Sequence, residues 1–181
     1  MIGPFPLDKF WRSKWGVLLF LALTVATIFI LRKSNSAVPQ YDEGPIFGTV
    51  YHIKYKYDHN LNKEILAELD RVDNSMSIFN PTSTISKINA GTDSKTDELF
   101  REVFSLAEDI SKETNGAFDI TVAPLVNAWG FGFKNQQLPT KLQVDSLRSL
   151  VGFNKVSLDG IMLKKKDPRV MLDCGAIAKG F

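Results

Sequence analysis

An aspartate that closes an apolar run, followed by a turn of small residues and a lysine, is the arrangement in this sequence best suited to hold a phosphate. It occurs in Val170-Met171-Leu172-Asp173-Cys174-Gly175-Ala176-Ile177-Ala178-Lys179-Gly180-Phe181. The order predicts a strand, a tight turn and a helix start. Small side chains let a phosphate approach the backbone, and the free N–H groups of a helix start favour an anion. Asp173 sits where a carboxylate could orient a hydroxyl, an amide or a cation. The same residues suit, equally well, a tight strand-to-helix turn with a solvated lysine.

Two further segments carry polar groups at suggestive positions. Asn115-Gly116-Ala117-Phe118-Asp119-Ile120-Thr121-Val122-Ala123-Pro124-Leu125-Val126 follows a helix end and puts Asp119 beside an aromatic ring. Asp119 could equally cap the next turn. Ser75-Met76-Ser77-Ile78-Phe79-Asn80-Pro81-Thr82-Ser83-Thr84-Ile85-Ser86-Lys87-Ile88-Asn89 reads, by itself, as turn and cap chemistry.

The elements around these segments follow from periodicity. Thr49 to Tyr57 alternates strictly, with Tyr51, Ile53, Tyr55 and Tyr57 on one face, and predicts a half-buried strand whose other face exposes His52. Leu61, Ile65, Leu66, Leu69, Val72 and Met76 predict a helix over about 61–75. Asn80-Pro81 breaks the chain, and Thr82-Ser83-Thr84 can cap a short helix carrying Ile85 and Ile88. Ser94-x-x-Asp97 resembles a capping box ahead of a helix that Asn115-Gly116 ends. Ala117 to Phe133 is too irregular to assign. Thr140 to Leu150 predicts a helix, Val156 to Leu163 a hairpin turning at Asp159-Gly160, and Val170 to Leu172 a further strand.

The beginning of the chain is of a different kind. Trp15 to Leu31 is free of charge, and its 17 residues span roughly 25 Å against a hydrocarbon core of ~30 Å. Lys14 and Arg32 can snorkel at its ends. Lys9, Arg12 and Lys14 precede it and favour a cytoplasmic N-terminus. A retained signal anchor is the first reading, a signal peptide cut near Ser34-Asn35-Ser36-Ala37 the second. The lack of a cysteine after the apolar run argues against a lipoprotein signal. The expected organisation is a cytoplasmic segment 1–14, a transmembrane anchor 15–31, a linker 32–44 and a domain from residue 45 to 181.

Composition narrows the domain's class. The chain's formal charge of +2 is misleading. Lys9, Arg12, Lys14, Arg32 and Lys33 face only Asp8 within residues 1–37, so the remainder is slightly acidic and offers no basic surface for nucleic acid. Cys174 is the single cysteine, which excludes an intrachain disulfide.

Taken in order and spacing, these segments resemble the ApbE-type FAD:protein FMN transferases. The residues that carry the resemblance are Gly48-Thr49-Val50-Tyr51, the Asn80 to Asn89 run, Gly116-Ala117-Phe118-Asp119, Pro124-Leu125-Val126, Trp129-Gly130-Phe131-Gly132 and Asp173 to Gly180. The resemblance covers about residues 45–181. It implies an α/β class, an α+β mixed sheet with flanking helices, here behind one transmembrane helix. It also implies FAD as substrate, Mg2+ as metal, and transfer of FMN to a threonine of a target protein with release of AMP. Expected targets are subunits of membrane redox complexes on the extracytoplasmic face of the bacterial cytoplasmic membrane.

By the same analogy Phe47, Phe79, Ala117, Phe118, Asp119, Asp173 and Lys179 would contact FAD, and the backbone carbonyl of Ala176 would be one metal ligand. Phe79 stands where the family usually has a tyrosine. Cys174 replaces an aliphatic residue and is expected to be packed. The family's remaining metal ligands lie downstream of the Lys-Gly pair, so the resemblance implies a domain continuing past Phe181 and a chain inactive by itself. No residue is assigned as catalytic. The competing readings are an FAD-binding redox module, an FAD pyrophosphatase and a non-catalytic membrane-anchored interaction domain.

Overall fold

The structure is a computed structural model that describes residues 14–34, 37–131, 138–178 and 180. The chain divides into two compact units, Met1–Asp42 with His52–Asn62, and Glu43–Tyr51 with Lys63–Phe181.

The first unit holds helix α1, Lys14–Ser34. Leu19, Leu23, Phe20, Val17, Leu18 and Trp15 point in successive directions around it and are between 48% and 81% exposed. The hydroxyls of Thr24 and Thr27 donate to the carbonyls of Leu21 and Leu23 in the preceding turn, at 2.8 and 2.7 Å. Side chains are described without a break from Trp15 to Ile30, about 24 Å of helix. Among the described residues no helix is long and apolar enough to cross a membrane.

Strands β1, Val38–Ile46, and β2, Thr49–Tyr57, form a two-stranded sheet joined by Phe47-Gly48. Both turn residues have positive φ, 52° and 72°, the backbone that matches the twist of a tight hairpin. β2 alternates as its sequence predicts. Strand β1 begins six residues inside the segment whose sequence predicts a linker. Pro39, Gly44 and Pro45 mask the strand pattern there. In a two-stranded sheet each strand has an outer edge, where a proline breaks no ladder bond. Within the first unit the Tyr41 hydroxyl lies 2.8 Å from His52 Nδ1, and Asn62 Nδ2 donates to Asp42 Oδ1.

The second unit carries helices α2 (Asn62–Met76), α3 (Thr84–Ala90), α4 (Glu98–Glu113), α5 (Ala123–Ala128) and α6 (Lys141–Arg148). It also holds the antiparallel pair β3 (Val156–Asp159) and β4 (Met162–Lys165). Asp159 pairs with Met162, so the turn is Gly160-Ile161, one residue later than expected. Among the described residues the α/β class takes the form of helices with two small antiparallel sheets, rather than one mixed sheet.

The core is built on α4. Phe100, Val103, Phe104 and Ala107 follow the i, i+3, i+4, i+7 stripe and are buried with Ile85, Ile88, Leu163, Val170 and Leu172. The hairpin and α4 are joined through residues 94–96. Leu163 N–H donates to the Ser94 carbonyl and Thr96 N–H to Ile161, each at 2.8 Å. That pairing uses Ser94 as strand backbone, so Asp97, not Ser94, is the N-cap of α4.

Asp97 also ties three helices together. It accepts from the Phe100 amide and from Ser75 Oγ of α2, both at 2.8 Å, and from Thr84 of α3. Burial pushes its carboxyl up, but these hydrogen bonds outweigh burial and hold it below the ordinary aspartate value. Because the native value is the lower one, Asp97 contributes its full stability above the unfolded value near 3.8 and loses it as pH falls through the native value. Asp97→Asn keeps a good N-cap and removes this titration. Urea denaturation should therefore show a lower midpoint for the variant at pH 7 and a shallower acid loss, the two proteins converging below about pH 4. Equal acid slopes would show that Asp97 is not coupled to folding.

Candidate functional site

The segment 168–174 is held by bonds from three other parts of the chain. The Lys165 ammonium donates to the carbonyls of Ile88, Pro168 and Val170 at 3.0 Å each. Burial pushes its pKa down, partly offset by Asp167. The Asn89 side chain takes both backbone groups of Leu172: its Nδ2 donates to the carbonyl at 2.8 Å and its Oδ1 accepts from the N–H at 2.7 Å. Asp173 N–H then donates to the Ile120 carbonyl at 2.8 Å.

These bonds explain why Val170 to Leu172 is not the strand its apolar pattern predicts. Val170 and Leu172 are buried, but a side-chain amide stands where a neighbouring strand would be. Asn89 satisfies one donor and one acceptor, as a strand partner does. Val170 and Leu172 are fully buried in the core, and the expected strand-like burial is achieved without a ladder.

Beyond Leu172 the chain turns. Asp173 Oδ1 accepts from Gly175 N–H at 2.7 Å, an Asx turn. The Cys174 carbonyl accepts from Ile177 and Ala178 N–H. Residues 175–178 form turns, not the helix start expected from the sequence. Ala176 is exposed, and its carbonyl takes no part in these bonds. Lys179 lies outside the described residues.

Cys174 is 1% exposed, as expected for a packed residue. Burial, reinforced by the Asp173 charge, pushes its thiol up to about 12. Relative to a free thiol near ~8.5 this leaves on the order of a thousandfold less thiolate at neutral pH. A disulfide reagent should leave Cys174 unreacted in the native chain and titrate it fully in denaturant. Rapid native reaction would place the thiol at the surface.

Next to this corner is a cleft of about 460 Å³. Ile78, Phe79, Ala123, Met171 and Leu172 give it apolar walls, and Ser86, Asn89 and Asn127 supply polar groups. Phe79 is half exposed. A Cβ added to Gly48 would come within 3.2 Å of the Phe79 ring, and the positive φ of 72° there favours glycine, so the hairpin turn lies close against that ring. Phe47, half-buried, precedes Gly48 in that turn.

Of the residues expected to contact FAD, the structure brings Phe79 to the cleft wall, Phe47 next to the turn that touches it, and Asp173 to the position after the wall residue Leu172. Among the described residues Ala117, Phe118 and Asp119 do not line the cleft. Ala117 is exposed, and Phe118 packs against the core. Asp119 Oδ1 caps the 3-10 turn Ile120–Val122 by accepting from Thr121 N–H and Oγ1 at 2.8 and 2.7 Å. Thr121 Oγ1 in turn accepts from Gly152 N–H at 2.7 Å. Asp119 therefore builds the turn whose Ile120 carbonyl receives Asp173.

Two cleft residues without an expected role, Asn89 and Asn127, carry a signal in the sequence. Asn89 lies four residues after Ile85 and one after Ile88, on the apolar stripe of α3. Asn127 lies four residues after the buried Ala123 of α5. An asparagine on a buried helical stripe must find a partner there.

Residues 47–181 match the ApbE family. The chain belongs to that family. It is 36% identical to the FAD:protein FMN transferase of Haemophilus influenzae over 155 residues, 76% of this chain and 45% of the relative. It is 32% identical to the enzyme of the same name from Vibrio cholerae, over 88% of this chain and 51% of that one. The solved flavin transferase ApbE from Vibrio cholerae superposes with a TM-score of 0.71 at 30% identity, covering 80% of this chain and 50% of that one. The chain spans about half the length of the curated relatives it matches. Among the described residues no group of three or more His, Cys, Asp or Glu could hold a metal ion. The Ala176 carbonyl is the one expected metal ligand among the described residues.

Proposed function

We propose that this ApbE-family chain binds FAD and belongs to an enzyme that moves FMN from FAD onto a threonine of a target protein. The observation that carries the reading is the Asn89–Leu172 clamp, which fixes Asp173 beside an apolar cleft that Phe79 lines. FAD is the substrate. The threonine oxygen attacks the phosphorus on the FMN side of the pyrophosphate, the bond to the AMP oxygen breaks, and the threonine proton leaves to solvent or base.

The chain's own residues bind and orient in this scheme. The cleft takes an aromatic ring against Phe79, and the Asp173 carboxylate accepts from hydroxyls of the ligand. Magnesium dependence follows the family resemblance. The proposed target is a flavin-carrying subunit of a membrane redox complex.

The domain is proposed to face the extracytoplasmic side of the cytoplasmic membrane. Three features support this: the charge-free run Trp15–Leu31 between Lys14 and Arg32, apolar side chains exposed around the whole helix, and threonine hydroxyls satisfied by the helix's own carbonyls.

The test is product analysis with FAD, Mg2+ and an acceptor protein, using the protein expressed from its complete reading frame. Covalent FMN on an acceptor threonine, with one AMP released, is the expected result. Free FMN and AMP would make it a pyrophosphatase. FAD bound but unchanged would make it a redox module, and FAD neither bound nor cleaved an interaction domain.

A further inference from the structure

We propose that Lys165 is a positioning residue of the FAD site: its ammonium, held among three carbonyls, fixes the Met171 wall of the cleft and sets the Asp173 carboxylate where FAD meets it. The assignment rests on the FAD-binding reading above and names what holds that site in place. An ammonium has three N–H donors, and the carbonyls of Ile88, Pro168 and Val170 each lie 3.0 Å from this one. Its donors are thus spent inside the protein. Among the described residues that line the cleft, Lys165 is not one. It acts through the backbone rather than by touching the ligand.

The three partners come from two parts of the chain. Ile88 belongs to α3, and Pro168 and Val170 to the segment that leads to Asp173. Carbonyl oxygens gathered around one point repel each other, and a cation between them offsets that repulsion. Val170 is fully buried, so water cannot take the place of the ammonium at its carbonyl. Asn89, the next residue of α3, holds both backbone groups of Leu172. α3 is therefore fastened to the segment twice, Ile88 to Val170 through the ammonium and Asn89 to Leu172 directly. Met171 lies between the two fastenings and lines the cleft. Asp173 follows the second. Held by Asn89 alone, the segment could pivot about Leu172; Lys165 removes that freedom.

The experiment measures FAD affinity by flavin fluorescence, with the protein expressed from its complete reading frame and kept in mild detergent. Lys165→Ala, Asp173→Asn and the double variant are compared with the unaltered protein, each well below its Tm. Lys165→Ala should bind FAD about tenfold more weakly while circular dichroism shows a folded chain. In the Asp173→Asn background the same substitution should cost about twofold or less, because a carboxylate already removed cannot be misplaced. A lysine that only stabilised the fold would show no such coupling between folded proteins. Propylammonium carries the atoms that Lys165→Ala deletes beyond Cβ. Adding it should restore most of the FAD affinity of Lys165→Ala, and tetramethylammonium, which has no N–H to donate, should not.

Equal FAD affinity in Lys165→Ala would overturn the assignment, as would a loss of the same factor with and without the Asp173 carboxylate. Recovery with tetramethylammonium as complete as with propylammonium would also overturn it, since bulk cation would then suffice. If Lys165→Ala fails to fold, Lys165→Met, which keeps an apolar stem and lacks the donors, enters the same cycle with Asp173→Asn. Failure of the unaltered protein to bind FAD would overturn the FAD-binding reading itself, and this positioning role with it.

Discussion

Asn89→Ala should lower the stability of the domain by about 2–5 kcal/mol and weaken FAD binding with it. The substitution strands two backbone groups of the buried Leu172, its N–H and its carbonyl, which Asn89 now satisfies at 2.7 and 2.8 Å. Each unsatisfied buried group costs about 1–3 kcal/mol. Helix propensity alone would predict the opposite sign, because alanine is the better helix former in α3. A loss therefore reports the clamp and not the helix. Against a total stability of about 5–15 kcal/mol, a fall of this size shows as a drop in Tm of roughly 10 °C.

Asn89→Asp refines the prediction. Its carboxylate still accepts from Leu172 N–H but cannot donate to the carbonyl. It should fall between the unaltered chain and Asn89→Ala in urea denaturation. If Asn89→Ala is as stable as the unaltered chain, the extended segment before Asp173 is held by apolar burial alone.

The same residue shows what the sequence made legible. The α4 stripe, the hairpin 156–165 and the β2 alternation follow directly from spacing, because each is a local pattern with one face buried. The short helix after Asn80-Pro81 was also readable, since Ser83 caps it and Gly91 ends it at a φ of 69°. The strand expected at Val170–Leu172 is absent for a physical reason. Period and burial fix that the segment is extended and inside, but not whether its hydrogen-bond partner is a strand or one amide 83 residues away in sequence. β1 was hidden by the prolines that a two-stranded sheet tolerates at its edges. The site is half legible: motif order brings out Phe79 and Asp173, while the parts played by Asn89 and Asn127 depend on where the fold places their side chains. Asp119 and Phe118 are adjacent in the motif, yet one caps a turn and the other packs in the core. A motif specifies which residues recur together, and the fold decides which of them face the cleft.

Asp173 carries the second large effect, and two substitutions divide its roles. Its Oδ1 accepts from Gly175 N–H at 2.7 Å and so builds the turn. The turn is tight: a Cβ on Gly175 would lie 3.0 Å from that oxygen. Asp173→Asn retains a side-chain oxygen for Gly175 N–H and removes only the charge. Asp173→Ala removes both. If the carboxylate accepts from FAD hydroxyls, a charge-assisted bond worth about 1.5–3 kcal/mol is weakened or lost, a factor of roughly 10–150 in affinity.

Asp173→Asn should then lose at least about tenfold in FAD affinity with its Tm unchanged, and Asp173→Ala should lose at least as much with a lowered Tm. Flavin fluorescence titration and thermal denaturation on the same samples read the two effects separately. The contrary pattern, full FAD affinity in Asp173→Asn and loss only in Asp173→Ala, would make Asp173 a turn-forming residue. Recognition of FAD at this corner would then fall to the backbone amides that the turn exposes.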